Sequence, residues 1–220
     1  MTEAEWLTSD DPEAMARAAN EDLRSDYPHG PRTARKRTLF GAACCRLVWP
    51  HVVIDERCRK VVEYVETKFE QPLSDEEEEE LFWDAKMAAE HPEHNTPLPQ
   101  QLAANLVYDA GDPAMVIGSI LRCFEGWASP SERSRLVAHL LRDIVGNPFR
   151  PATLDPAWRT STVLALASQM YGSRDFGAMP ILADALQDAG CDTDDILDHC
   201  RGPGPHVRGC WVVDLVLGKS

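Results

Sequence analysis

Residues 32–48 read Arg-Thr-Ala-Arg-Lys-Arg-Thr-Leu-Phe-Gly-Ala-Ala-Cys-Cys-Arg-Leu-Val, and this stretch is the clearest indication of the fold class. Its apolar residues recur at spacings of three and four, at Phe40, Ala43, Cys44, Leu47 and Val48. Such spacing places apolar side chains on one face of an α-helix. The stretch therefore predicts an amphipathic helix in which Cys44 faces the core and Cys45 lies at the edge of the buried face.

The same spacing recurs along most of the chain. Further apolar faces of this kind are formed within residues 58–65, 137–144 and 163–170. The final apolar segment, residues 207–217, also fits a strand, but its helical surroundings favour a helix. We therefore predict an all-α fold, a compact array of roughly 9–11 short amphipathic helices without an extensive sheet.

Several helix starts are marked by residues that cap the backbone. Ser74 with Glu77, and Ser129 with Glu132, match the capping-box pattern, in which the two side chains satisfy each other's backbone N–H groups. Asp55 is a candidate N-cap for the next apolar face. The acidic run at residues 75–80 is accordingly predicted to be the solvated first turn of a helix, where negative charge is favourable.

The length and composition are those of a globular domain. With 220 residues, 44% of them hydrophobic and 26% charged, the chain is expected to form a single helical domain over residues 1–220. An alternative is two packed lobes, residues 1–95 and 96–220, because residues 92–99 are rich in proline and form a candidate hinge.

The charge and the absence of targeting patterns limit the possible partners. A net charge of −14 argues against nucleic acid, since phosphate neutralisation provides most of the general affinity for it. No apolar run approaches the roughly 20 residues of a membrane-spanning helix. The N-terminal residues do not resemble a signal peptide. We therefore expect an acidic, cytoplasmic protein without a membrane partner.

A basic block interrupts the acidic chain after residue 31. The candidate partner-binding residues are Arg32, Arg35, Lys36 and Arg37, which would suit an anionic ligand or an acidic protein. Alternatively, these cations pair with the protein's own carboxylates. The amphipathic helices and segregated charge predict a helical protein-protein interaction or scaffold module, and a protein is the expected partner.

Cysteine and histidine are concentrated near the C-terminus. The chain has seven cysteines, an odd number without a regular framework, which is typical of free buried thiols in a reducing compartment. The first alternative function is a small zinc-binding protein with a structural site drawn from Cys191, His199, Cys200, His206 and Cys210. No CxxC pair supports this site. The competing interpretation is that these cysteines are core residues and the histidines stabilise the turn.

The second alternative is a cysteine-dependent enzyme. Cys200 or Cys210 would be the nucleophile, His206 the base, and Asp198 or Asp214 the orienting group. No phosphate-binding, dinucleotide-binding or hydrolase motif accompanies them. The sequence therefore favours a protein that is not an enzyme, and zinc is the one cofactor that its residues indicate.

Several blocks of sequence are similar to those of one family. They are Met1-Thr-Glu-Ala-Glu-Trp-Leu7, Leu39-Phe-Gly-Ala-Ala-Cys-Cys-Arg46, Leu141-Arg-Asp-Ile-Val-Gly-Asn-Pro-Phe-Arg-Pro151 and His199-Cys-Arg-Gly-Pro-Gly-Pro-His-Val-Arg-Gly-Cys-Trp211. With these blocks the chain resembles an uncharacterised, heavily duplicated bacterial protein family. The resemblance implies common ancestry and assigns no catalytic residue to this chain. Residues 70–135 depart from the family's alanine-rich pattern.

Overall fold

The secondary structure is helical throughout the part of the chain that the structure describes. This computed structural model describes residues 1–19, 31–51, 55–89, 117, 121 and 128–219. Within these ranges there are ten α-helices, two 3-10 turns and no strand, which confirms the predicted all-α fold. None of the described helices is long and apolar enough to cross a lipid bilayer.

The ten helices of the described ranges follow one another along the chain. They are α1 (Glu3–Thr8), α2 (Pro12–Ala18), α3 (Pro31–Val48), α4 (Glu56–Val65), α5 (Asp75–Ala89), α6 (Pro130–Val145), α7 (Ser161–Ser173), α8 (Met179–Asp188), α9 (Asp194–Arg201) and α10 (Trp211–Leu217). The 3-10 turns are Trp49–His51 and Pro156–Trp158. Short connections join α7 to α8 and α8 to α9, as helix packing between chain neighbours requires.

The predicted caps are present at the helix starts. The Ser129 hydroxyl accepts the Glu132 N–H at 3.3 Å, and the Glu132 carboxylate accepts the Ser129 N–H at 2.9 Å. Ser74 and Glu77 make the same reciprocal pair at the start of α5. Asp55 caps α4 by accepting the Arg57 N–H. These caps satisfy N–H groups that have no partner within their own helices.

The first hydrophobic cluster is built from α1 to α6. Helix α3 lies within it and packs against both α4 and α6. Phe40 and Cys44 are buried as predicted, but Cys45 is also fully buried rather than at the edge, so that prediction was wrong. Because α4 and α6 both pack against α3, more than one face of α3 is buried.

The second hydrophobic cluster is built from α7 to α10. Helix α6, which the two-lobe alternative placed with these later helices, instead contributes its buried residues to the first cluster. The predicted boundary near residue 95 lies outside the described residues. The segment at 202–210, between α9 and α10, runs beside the end of α6, where His206 and the Val207 N–H contact Asp143.

Candidate metal centre

Four side chains from separate parts of the fold converge on one point. Asp143, His199, His206 and Cys210 each offer one metal-ligand atom, and these atoms all lie within 4.8 Å of one another. Asp143 lies in the last turn of α6, and His199 in the last turn of α9. His206 belongs to the segment that follows α9, and Cys210 is the N-cap residue of α10.

Asp143 is the buried anionic centre of the group. Its Oδ1 atom lies 2.7 Å from Nδ1 of His206 and 3.1 Å from Nε2 of His199. Its Oδ2 atom accepts the Val207 N–H at 2.9 Å. Burial by itself would raise the pKa of the Asp143 carboxyl, but hydrogen bonds and electrostatic attraction from the two histidines outweigh burial and hold the pKa below its ordinary value.

His199 links the carboxylate to the thiol through a single nitrogen. Its Nε2 atom lies 3.2 Å from Sγ of Cys210 as well as 3.1 Å from Oδ1 of Asp143. The imidazole packs against the ring of Trp211 at 5.0 Å and meets the ring of His206 edge-on at 4.9 Å. These contacts fix the ring so that one nitrogen faces both other ligand types.

Cys210 is completely buried beside the carboxylate. Burial raises the pKa of its thiol well above the ordinary value, and the negative charge of Asp143 raises it further. Backbone N–H groups of Val212 and Val213 favour the thiolate, but more weakly. A thiolate at this position therefore requires a neighbouring cation, and a bound metal ion is the strongest local cation that proteins use.

The donor set and its spacing suit a tetrahedral ion. One carboxylate oxygen, two imidazole nitrogens and one sulphur are all donors that zinc accepts. At typical zinc bond lengths, neighbouring ligand atoms of a tetrahedron lie about 3.3 Å apart. Three of the separations, 2.7, 3.1 and 3.2 Å, are slightly shorter than this, and all four ligand atoms lie within 4.8 Å of one another, so side-chain adjustment would be needed to hold an ion.

The structure brings together three of the five residues proposed from the sequence as metal ligands. Cys191 and Cys200 are instead buried in the second hydrophobic cluster and are not among the four converging residues. Burial raises the pKa of the Cys200 thiol to about 12. Asp143 takes the fourth position, and the sequence prediction missed it. The available signal was a carboxylate beside Leu140 and Ile144 on a helix face whose other residues are apolar.

The arrangement differs from the relay of a cysteine-dependent enzyme. In such a relay the imidazole contacts the nucleophile with one nitrogen and the orienting carboxylate with the other. The proposed base, His206, contacts Asp143 through Nδ1. Its Nε2 atom makes no hydrogen bond to Cys200 or Cys210. The imidazole that does contact Cys210 is that of His199, and its Nε2 atom makes both contacts. Neither proposed orienting residue joins the group, because Asp198 is exposed and Asp214 pairs with Arg35. The geometry therefore favours convergence on an ion over activation of a nucleophile.

Two of the candidate partner-binding residues on α3, Arg35 and Lys36, have buried side chains. Arg35 and Lys36 are each only 7% exposed. The Arg35 guanidinium pairs with Asp214 and donates to the Tyr171 hydroxyl at 3.0 Å, and the Lys36 ammonium donates to the Val145 carbonyl at 3.3 Å. Arg37 is half-buried, and the side chain of Arg32 lies outside the described part. For Arg35 and Lys36 the structure favours internal pairing over contact with a partner.

Two cavities adjoin the four residues. His199 and Trp211 line the larger one, with a volume of about 300 Å³. His206 and Val207 line a smaller cavity of about 70 Å³, whose other walls include three arginines.

Comparison of the chain with protein-family models, with curated proteins and with solved structures finds no match. The resemblance to a bacterial family therefore stays a prediction, and the function has to be inferred from the geometry of the four converging residues.

Proposed function

We propose that the protein binds one structural zinc ion through Asp143, His199, His206 and Cys210. A single observation carries the proposal. Nε2 of His199 lies within 3.2 Å of both the Cys210 sulphur and the Asp143 carboxylate, while Nδ1 of His206 lies 2.7 Å from that carboxylate. Four potential donors with different chemistry thus surround one small volume.

The electrostatics of the group support a cation. The buried Cys210 thiol lies within 4.8 Å of the buried Asp143 carboxylate, and a thiolate there would be an uncompensated and costly charge. A divalent ion bound between them would stabilise both the carboxylate and the thiolate. Mixed sulphur, nitrogen and oxygen donors favour zinc over magnesium or calcium, which prefer oxygen ligands alone.

A structural role is favoured because the protein supplies four candidate ligands, as many as a tetrahedral zinc ion takes. Catalytic zinc sites usually have three protein ligands and leave the fourth position for water or substrate. Here four side chains are available, and Asp143 and Cys210 are fully buried. The ion would fasten α9, the segment at 202–210 and the start of α10 to the end of α6.

The predicted role as a helical interaction or scaffold module is compatible with a structural ion. Short helices that present a binding surface have to be held in fixed positions, and a metal ion fixes elements that are distant in sequence. The interaction role stays a prediction.

Elemental analysis tests the proposal directly. Protein purified without added metal is expected to contain one zinc per chain, and Cys210→Ala is expected to lose it, because zinc loses its thiolate ligand. Cys200→Ala is the matched control, since Cys200 is a buried cysteine on the same helix as His199. This control is expected to keep the metal. Zinc retained in full by Cys210→Ala, or lost from Cys200→Ala alone, would contradict the proposed ligands.

A further inference from the structure

The cavity of about 70 Å³ beside His206 is lined by an unusual set of charged side chains. Arg46, Arg174 and Arg208 come from three different parts of the chain, and Glu66 is the one carboxylate among the described residues that line the cavity. Three guanidinium groups against one carboxylate make the cavity positive within a chain of net charge −14. A positive cavity of this kind attracts anions.

The arginines are held in position by contacts of their own. Arg46 donates from Nε and Nη2 to the two oxygens of Glu66, at 2.6 and 2.9 Å, and its guanidinium lies 4.5 Å from the Trp49 ring. Nε of Arg174 donates to the same carboxylate at 2.7 Å. Each of these two guanidinium groups therefore has N–H groups left over, and both are already ordered before any ligand binds.

Arg174 occupies a strained backbone position. It ends α7 with a φ of +60°, in the left-handed region that favours glycine or asparagine. Local strain of this kind often marks a position with a function. A glycine here would relieve the strain and lose the guanidinium from the cavity.

Two buried nitrogens at the cavity lack hydrogen-bond partners among the described residues. They are Nε of Arg208 and Nε2 of His206. The Arg208 guanidinium stacks 4.2 Å from the Tyr171 ring, so it is held in place without an acceptor for its Nε–H. Buried polar atoms are nearly always hydrogen-bonded to the protein, to water or to a ligand.

We propose that this cavity binds a small oxyanion of the inorganic phosphate class. The ligand oxygens would accept hydrogen bonds from Arg208 and from the remaining N–H groups of Arg46 and Arg174. The volume has room for a few water molecules or one small ion, and it is too small for a nucleotide. Arginine is the residue that best matches the planar geometry of such oxyanions.

The part played by His206 rests on the proposed zinc site. If Nδ1 binds the ion, the remaining ring hydrogen must lie on Nε2, which then becomes a donor. Histidines that bind metal almost always donate this second N–H to an acceptor, and an oxyanion in the cavity would supply one. Phosphate binding is therefore expected to be tighter in zinc-loaded protein than in protein treated with a chelator.

Isothermal titration with inorganic phosphate, at constant ionic strength, tests the proposal. The protein is expected to bind one phosphate per chain, and Arg208→Gln is expected to weaken binding about tenfold or more, because a charge-assisted hydrogen bond is lost. Arg201→Gln is the matched control. Arg201 lies nearby in sequence but pairs with Asp184 on the surface, so binding should be unchanged.

Glu66→Gln is a second variant, and its expected effect on phosphate affinity is opposite to that of Arg208→Gln. Removing the negative charge of Glu66, the one carboxylate among the described lining residues, is expected to tighten phosphate binding, provided that circular dichroism shows the variant to be folded. Absence of saturable binding at millimolar phosphate would overturn the proposal, as would binding that Arg208→Gln leaves unchanged. If elemental analysis finds no zinc in the purified protein and that protein still binds phosphate, the zinc site is contradicted while the oxyanion site is supported, so the two proposals can fail separately.

Discussion

Replacing Asp143 with alanine is expected to lower the free energy of unfolding by about 3–5 kcal/mol, the range typical of removing one partner from a buried charged group. Both imidazoles would lose the carboxylate, and the Val207 N–H would lose its acceptor inside the protein. Urea unfolding followed by circular dichroism measures the change. In the presence of a chelator the effect should be smaller but still present, because these hydrogen bonds do not require a metal.

Two further variants test whether the loss of stability is specific to the buried Asp143 carboxylate. Asp198→Ala removes an exposed carboxylate next to His199 in sequence, and its effect should lie within about 0.5 kcal/mol of zero. Asp143→Asn keeps an acceptor for Val207, so it should be less destabilising than alanine. If Asp143→Ala were as stable as the parent protein, the contacts among the four residues would not contribute to the free energy of unfolding.

The second large effect is expected for Arg35→Ala, again about 3–5 kcal/mol of destabilisation. The variant leaves the Asp214 carboxylate buried without the guanidinium that pairs with it, and it removes the donor to the Tyr171 hydroxyl. Burial raises the pKa of Asp214 even in the parent protein, although Arg35 opposes that rise. The same urea experiment measures the loss.

The way in which the destabilisation by Arg35→Ala changes with pH tests whether the unpaired Asp214 carboxylate is its cause. Without Arg35 the pKa of Asp214 should rise further above its value in the unfolded chain. A carboxyl whose pKa is raised by folding adds most to stability below the unfolded pKa of about 4, and this contribution is lost as the pH rises through the folded pKa. The destabilisation caused by Arg35→Ala should therefore be smaller in acid than at neutral pH.

Two further variants test whether the effect is specific to the buried Arg35–Asp214 pair or would follow from the loss of any charged side chain. Arg201→Ala breaks an exposed pair with Asp184 and should cost less than about 1 kcal/mol. Replacing both partners of the buried pair, with Arg35→Met and Asp214→Leu, should recover most of the lost stability, since no unpaired charge remains. An equal cost for Arg35→Ala and Arg201→Ala would show that the buried pair contributes nothing beyond surface charge.

The helices could be predicted from the sequence because their signals are local. The apolar spacing of residues 32–48 and the Ser129–Glu132 capping box each depend on a few neighbouring residues. The burial of Cys45 could not be predicted in this way. It depends on how many helices pack against α3, and that is decided by contacts between distant parts of the chain.

The candidate metal centre shows the same limit. Histidine and cysteine near the C-terminus made His199, His206 and Cys210 visible as candidates, but nothing local distinguished Cys210 from Cys200. Asp143 lies in a different helix and becomes a neighbour only through the packing of the segment at 202–210 against α6. A lone carboxylate among apolar helix residues was its one local signal, and such a residue more often forms an ion pair.

X-ray absorption at the zinc edge, on protein that retains its metal, tests the proposed centre most directly. The expected first shell contains one sulphur at about 2.3 Å and three nitrogen or oxygen atoms at about 2.0–2.1 Å. A shell with two sulphurs would show that another cysteine replaces one of the proposed ligands. A shell without sulphur would contradict binding by Cys210, and with it the zinc site proposed here.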